Sequence, residues 1–202
     1  MLEVFFDVET KKLFHEVEGR DPSLLGVSIV STLTRIVDKN GKTGSEVIKS
    51  YWEKDFEEMW KIFMDADRII GFNTIKFDAV ALQPYTPIPL LKLPHFDILD
   101  EVRNRLGHRL SLNALAEKTL NAQKTDKGFN AVIYWNNQDL ESLKKLQTYC
   151  EADVLLTRDL YDYGVQHKLL KYQDMVGRVR SFPVDFSYLD RAIKSGKQTS
   201  LF

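Results

Sequence analysis

The chain has 202 residues, 44% of them hydrophobic and 11% aromatic, which is enough to bury an ordinary core and excludes disordered and fibrous classes. No run of about 18 apolar residues and no charged-then-apolar leader is present, so the expectation is a soluble, cytoplasmic protein with no membrane partner. The net charge of −1 argues against a strongly basic nucleic-acid binder, while one cysteine (Cys150) and four scattered histidines exclude a disulfide framework and a zinc signature, so any metal would be held by oxygen.

In chain order, Leu2 to Val8 reads as an apolar strand, followed by the turn-rich EGRDPS. LLGVSIVSTLTRIV is a second strand that runs to the hairpin signal Asp38-Lys39-Asn40-Gly41, and a third returns through Glu46 to Tyr51. EKDFEEMWKIFMDA predicts an amphipathic helix with Phe56, Trp60 and Phe63 on one face. ADRIIGFN predicts a short strand, KFDAVALQPY a short helix ended by proline, and HFDIL another short strand. LSLNALAEKTL predicts a helix capped by Ser111, and a long helix follows from about Asn137 to Tyr163. Residues 169 to 188 predict a β-hairpin. A meander of strands followed by alternating strands and helices implies an α/β fold with a mixed sheet flanked by helices. No repeat or linker divides the chain, so one domain is expected over residues 1–190, with a tail over 191–202.

Two carboxylates, Asp7 and Glu9, end the first strand. Side chains alternate along a strand, so the two point the same way, about 7 Å apart, while Val8 points into the protein. Like charges on one face repel unless something positive lies between them. The other Asp-x-Glu, Asp139-Leu-Glu141, sits where acids favour the start of a helix. Asp78 also follows an apolar strand. Tyr149 and Asp153 stand one helical turn apart on one face, and Ala152, Val154, Leu155 and Leu156 surround the aspartate with apolar residues, so it is expected to be partly buried and in need of a partner. If Asp7, Glu9, Asp78 and Asp153 converge, they form an oxygen cage for two hard cations, Mg²⁺ or Mn²⁺, of the kind that hydrolyses phosphodiesters. Tyr149, with a phenol pKa near 10, would orient the attacking water rather than deprotonate it.

These stretches resemble the motifs of the DEDD 3′-5′ exonucleases of ribonuclease H-like fold. FFDVET resembles the first motif, with Asp7 and Glu9, and GFNTIKFD the second, with Asn73 and Asp78. Tyr149 four residues before Asp153 is similar to the third motif of the DEDDy branch; the DEDDh branch has histidine where this chain has Thr148. HRLSLNALAEKTLNAQKT is similar to the family's Leu-x-x-Leu-Ala helix, and Asp97 resembles an acidic position before it. The resemblance spans roughly residues 2 to 163. It implies catalysis by Asp7, Glu9, Asp78, Tyr149 and Asp153, metal ligation by the four carboxylates, and contact of Thr10 and Asn73 with the terminal nucleotide at a single-stranded or frayed 3′ end.

The last 39 residues carry seven Lys/Arg against three Asp/Glu, which suits sequence-independent backbone contacts. QTSLF resembles the peptide by which bacterial replication and repair proteins dock on the sliding clamp, with Gln198, Leu201 and Phe202 as the docking residues. That tail favours DNA as substrate and a nucleoid-associated location. An exoribonuclease that trims RNA 3′ ends would share every catalytic residue, and a catalytically weak nucleic-acid-binding or partner-binding module of the same fold is the reading from a different class.

Overall fold

The computed structural model describes residues 1–122 and 128–187. Five strands, β1 (Leu2–Thr10), β2 (Val27–Val37), β3 (Thr43–Trp52), β4 (Arg68–Gly71) and β5 (His95–Asp97), form one sheet in the order β3-β2-β1-β4-β5. The β2 and β3 strands continue antiparallel from β1, whereas β4 and β5 run parallel to it. The mixed sheet follows from the connections. Asp38 Oδ1 accepts hydrogen bonds from the backbone N–H groups of Asn40 and Lys42, and Gly41 takes φ 79°, which closes a tight turn between antiparallel neighbours. Parallel neighbours need a crossover, and α1 (Phe56–Asp65) and α2 (Asp78–Leu82) supply those to β4 and β5.

Central β1 is apolar on both faces, and its alternation builds two cores. Val4, Phe6 and Val8 pack with Phe56, Met59, Trp60 and Phe63 of α1. On the other face Phe5 packs with Leu33 and Ile70 against three helices, α3 (Ile98–Leu106), α4 (Leu112–Leu120) and α6 (Leu140–His167). Each such fully buried side chain contributes about 1.5–3 kcal/mol. A further helix, α5 (Gly128–Asn137), packs on α6, and β6 (Leu169–Gln173) with β7 (Val179–Pro183) forms the hairpin expected from the sequence.

The differences from the sequence reading are local. HFDIL yields a strand of only three residues, because the Asp97 carboxylate accepts from the N–H groups of Leu99 and Asp100 and turns Ile98 and Leu99 into the start of α3. The long helix read from about Asn137 to Tyr163 begins at Leu140 and runs to His167: the separate α5 ends at Asn137, and α6 is capped by Asp139, whose carboxylate accepts from Ser142 N and Oγ. Those two hydrogen bonds, backbone first, pull Asp139 below the usual carboxylate range. Ser111 caps α4 as expected. Tyr188, the expected end of the hairpin, and Gln198, Leu201 and Phe202 lie outside the described residues.

The C-terminal half of α6 is locked to the start of β1 through Arg35, which pairs with buried Glu3 and with the partly exposed Asp162. Arg35 Nε donates to Glu3 at 2.7 Å, its terminal nitrogens grip Asp162 at 2.8 and 2.5 Å, and Tyr161 donates to Glu3 at 2.8 Å. Arg68 donates to Tyr161 and to the carbonyls of Phe186 and Ser187. Gly164 lets the chain return: a Cβ there would lie 2.0 Å from the Phe186 ring. With its later turns fixed this way, α6 carries its middle to the opposite, C-terminal end of β1. Among the described residues no helix is long and apolar enough to cross a membrane.

Candidate active site

The strand alternation that sends Val8 into the α1 core puts Asp7 and Glu9 on the α6 face. Glu9 pairs with Ile29, and the register then skips a residue so that Thr10 pairs with Val27, a bulge that bends the strand away directly after the two acids. Asp153 of α6 meets them there. Carboxylate oxygens of Asp7, Glu9 and Asp153 all lie within 4.8 Å of one another. Cys150, one turn before Asp153, pins the helix: its Sγ donates to the Asp7 carbonyl at 3.4 Å and approaches Asp7 Oδ2 at 3.8 Å. Burial, then the charges of Asp7 and Glu9, push that thiol well above its ordinary range, so Cys150 acts as a protonated hydrogen-bond donor rather than a nucleophile. Tyr149, 7% exposed, shares a cluster with Ile29, Ala131, Leu146 and Cys150 one turn from Asp153.

Asp78 approaches from the other side of β1. It begins α2 and is buried, and its Oδ1 accepts from the N–H of Val8, the residue between Asp7 and Glu9, at 3.0 Å. Burial is the main cause of its pKa being pushed up to about 8, with the charges of Asp97 and Asp153 adding to the rise and backbone hydrogen bonds opposing it. Asp78 therefore stands behind the backbone of the Asp-x-Glu motif, in electrostatic reach of Asp153, while the three-carboxylate group is made by Asp7, Glu9 and Asp153.

The loop that delivers Asp78 depends on Gly71 and Asn73 of GFN, on Thr74 and on Asp97. A Cβ at Gly71 would lie 2.0 Å from the Thr74 side chain, and Asn73 adopts the left-handed φ of 71°. Asp97 accepts from Asn73 N and Ile75 N at 2.8 and 3.1 Å while capping α3, so one carboxylate ties β5, α3 and the loop together. Burial raises the Asp97 pKa in spite of these bonds. The Asn73 side-chain oxygen accepts from Arg103 at 3.0 Å, and the Thr10 hydroxyl donates to the Lys12 carbonyl at 2.9 Å. Sequence reasoning had no signal for Cys150 or Arg103 as site residues. Cys150 sits at an ordinary helical position between Tyr149 and Asp153, and Arg103 belongs to the helix hidden behind HFDIL.

A family model described as RNase_H superfamily matches residues 4–165. The chain belongs to the ribonuclease H superfamily. Among solved structures, the family B DNA polymerase of the hyperthermophilic archaeon Pyrobaculum calidifontis is similar over 82% of this chain, with 18% identity and a TM-score of 0.55. Escherichia coli Exonuclease I in complex with a dT13 oligonucleotide is similar over 83%, with 12% identity and a TM-score of 0.46. The ribonuclease H-like chain spans 24% of that polymerase and 40% of that exonuclease. The likeness to the polymerase shows the fold. No curated protein matches the chain.

The donor set at the end of β1 is all oxygen and all acidic, and its spacing fits a hard divalent cation. Asp7, Glu9 and Asp153 are the residues that could hold one. Three like charges brought this close favour a bound cation, which turns their mutual repulsion into attraction.

Proposed function

We propose that this member of the ribonuclease H superfamily is a divalent-metal-dependent 3′-5′ exonuclease of the DEDDy branch. The observation that carries the reading is the meeting of Asp7, Glu9 and Asp153, from the first strand and a helix more than 140 residues later, within 4.8 Å and with Tyr149 one turn away. In it Asp7, Glu9 and Asp153 would hold one ion, Mg²⁺ or Mn²⁺, and Asp78, on giving up its proton, would join them in holding a second. Bound there, the ions supply Lewis-acid stabilisation of the phosphate and make water acidic enough to attack it.

The chain's own residues do the rest. Tyr149, fixed in its cluster, offers its phenol to the attacking water as a hydrogen-bond partner; an ordinary phenol is too weak an acid to serve as base at neutral pH, so its part is orientation. Arg103 occupies the Asn73 side-chain oxygen, which leaves the amide N–H groups to donate to oxygens of the terminal nucleotide. Thr10, next after Glu9 in the chain, contacts that nucleotide too in this reading.

DNA is the preferred substrate in this reading because of the QTSLF tail, through which Gln198, Leu201 and Phe202 dock on a sliding clamp. The test is release of the 3′-terminal nucleotide from a labelled single strand with Mg²⁺, run on DNA and RNA of one sequence, with Asp7→Ala as control. The expected result is stepwise release that falls about a thousandfold in the variant, the loss of several kcal/mol of transition-state stabilisation. Release undiminished by Asp7→Ala overturns the chemistry. Faster release from RNA moves the assignment to RNA trimming, and tight binding without release moves it to the weak nucleic-acid-binding module.

A further inference from the structure

Leading away from the carboxylates, a row of side chains crosses the sheet and ends in aromatic rings. Glu9 stands opposite Ile29 and Ile29 opposite Trp52, so the three share one face, with Trp52 about 10 Å from Glu9. Helix α5 lays Trp135 on Trp52 with ring centroids 6.4 Å apart and planes 24° apart, a stacked pair whose members both remain partly exposed. Both pack on the cluster that contains Tyr149 and Cys150, so the pair is rigidly joined to the acidic site. Lys11, two residues after Glu9, lies over the Trp135 ring, its Nζ 5.2 Å from the ring centroid and 2.6 Å from Glu53. That ion pair is itself exposed, with 28% and 54% of its two side chains in solvent, so it contributes little and is readily exchanged.

We propose that Trp52 and Trp135, once Lys11 swings off the Trp135 ring, form a platform on which an unpaired base near the 3′ end of a single-stranded nucleic acid stacks. The proposal rests on the exonuclease reading for which end of the strand lies at the acids, and it adds what holds the strand there. Aromatic faces accept any base, so the platform is indifferent to sequence. A base inside a duplex has both faces covered, so the platform selects strands that are unpaired near the 3′ end. Lys11 exchanges Glu53 for a backbone phosphate and adds a salt-sensitive contact. Fixed about 10 Å from Glu9, the rings set how far the strand reaches into the site.

The experiment uses the full chain and a 5′-fluorescent oligothymidylate of about ten nucleotides, with Ca²⁺ replacing Mg²⁺ and binding read by anisotropy. Trp135→Ala is expected to raise Kd about tenfold and Trp135→Tyr to restore most of the affinity; Lys11→Gln is expected to flatten the slope of log affinity against log salt by about 0.7. In a second arm the unmodified protein binds oligonucleotides in which an abasic site is walked inward from the 3′ end, and affinity is expected to drop at one near-terminal position. This arm decides alone if Trp135→Ala does not fold. A Kd indifferent to Trp135 and to every abasic position overturns the platform, whatever the nuclease assay gives. Trp135-dependent binding by a chain that releases no nucleotide supports the platform and removes the exonuclease reading.

Discussion

Burial pushes the Asp78 pKa up to about 8. The folded chain binds this proton more tightly than the unfolded chain, so between 3.8 and about 8 the folded state carries more protons and metal-free stability falls as pH rises. Asp78→Asn keeps the oxygen that accepts from Val8 N and removes the titration. Its urea-unfolding free energy in EDTA is expected to change less between pH 5 and pH 8 than that of the unmodified chain; an equal slope in both would refute the assignment. A cation must displace the same proton, so metal affinity should weaken as pH falls through that window. Tyr149 tests a different property. If the phenol orients water, Tyr149→Phe lowers kcat by about tenfold to a hundredfold and leaves KM unchanged. A KM rise at constant kcat would make Tyr149 a substrate-binding residue instead.

At the scale of elements, α6 carries the arrangement, because Cys150 pins its first half to Asp7 and Asp162 pins its second half to Arg35. Gly164 sits between those later contacts and the returning chain. In an exposed helix a Gly→Ala change gains up to about 1 kcal/mol, yet here the new methyl meets Phe186 at 2.0 Å, and overpacking costs about 1–3 kcal/mol. Gly164→Ala is expected to lower the urea midpoint at unchanged m-value, and a stabilised variant would show that Phe186 moves aside freely. The same elements show what could be read in the letters. The period of two makes Asp7 and Glu9 a pair, and the period of 3.6 makes Tyr149 and Asp153 another. Their meeting is not legible locally, since it depends on packing between residues more than 140 positions apart. α3 is hidden because Phe96, Ile98 and Leu99 suit a strand as well as a helix, and only the cap at Asp97 decides. Trp52 reaches the row of Glu9 through the registers of two successive ladders, the second of them shifted between Arg35 and Val37, which no composition pattern reveals.

For the molecule as a whole, the carboxylate end of the sheet is balanced by an ionic lock at the other. Arg35 is 4% exposed and shared among Glu3, Glu46 and Asp162. Arg35→Ala leaves Glu3 buried without that partner and is expected to cost about 3–5 kcal/mol, read as a lower chemical-denaturation midpoint, whereas a loss near zero would mean that water solvates the gap. Arg68 belongs to the same lock and clasps the carbonyls of Phe186 and Ser187, at the start of β1 and β4 rather than at their ends. Phe186 and Ser187 are therefore fastened at the rear of the sheet, the length of β1 away from the three carboxylates, so the clasp can be loosened by substitution without touching the acids.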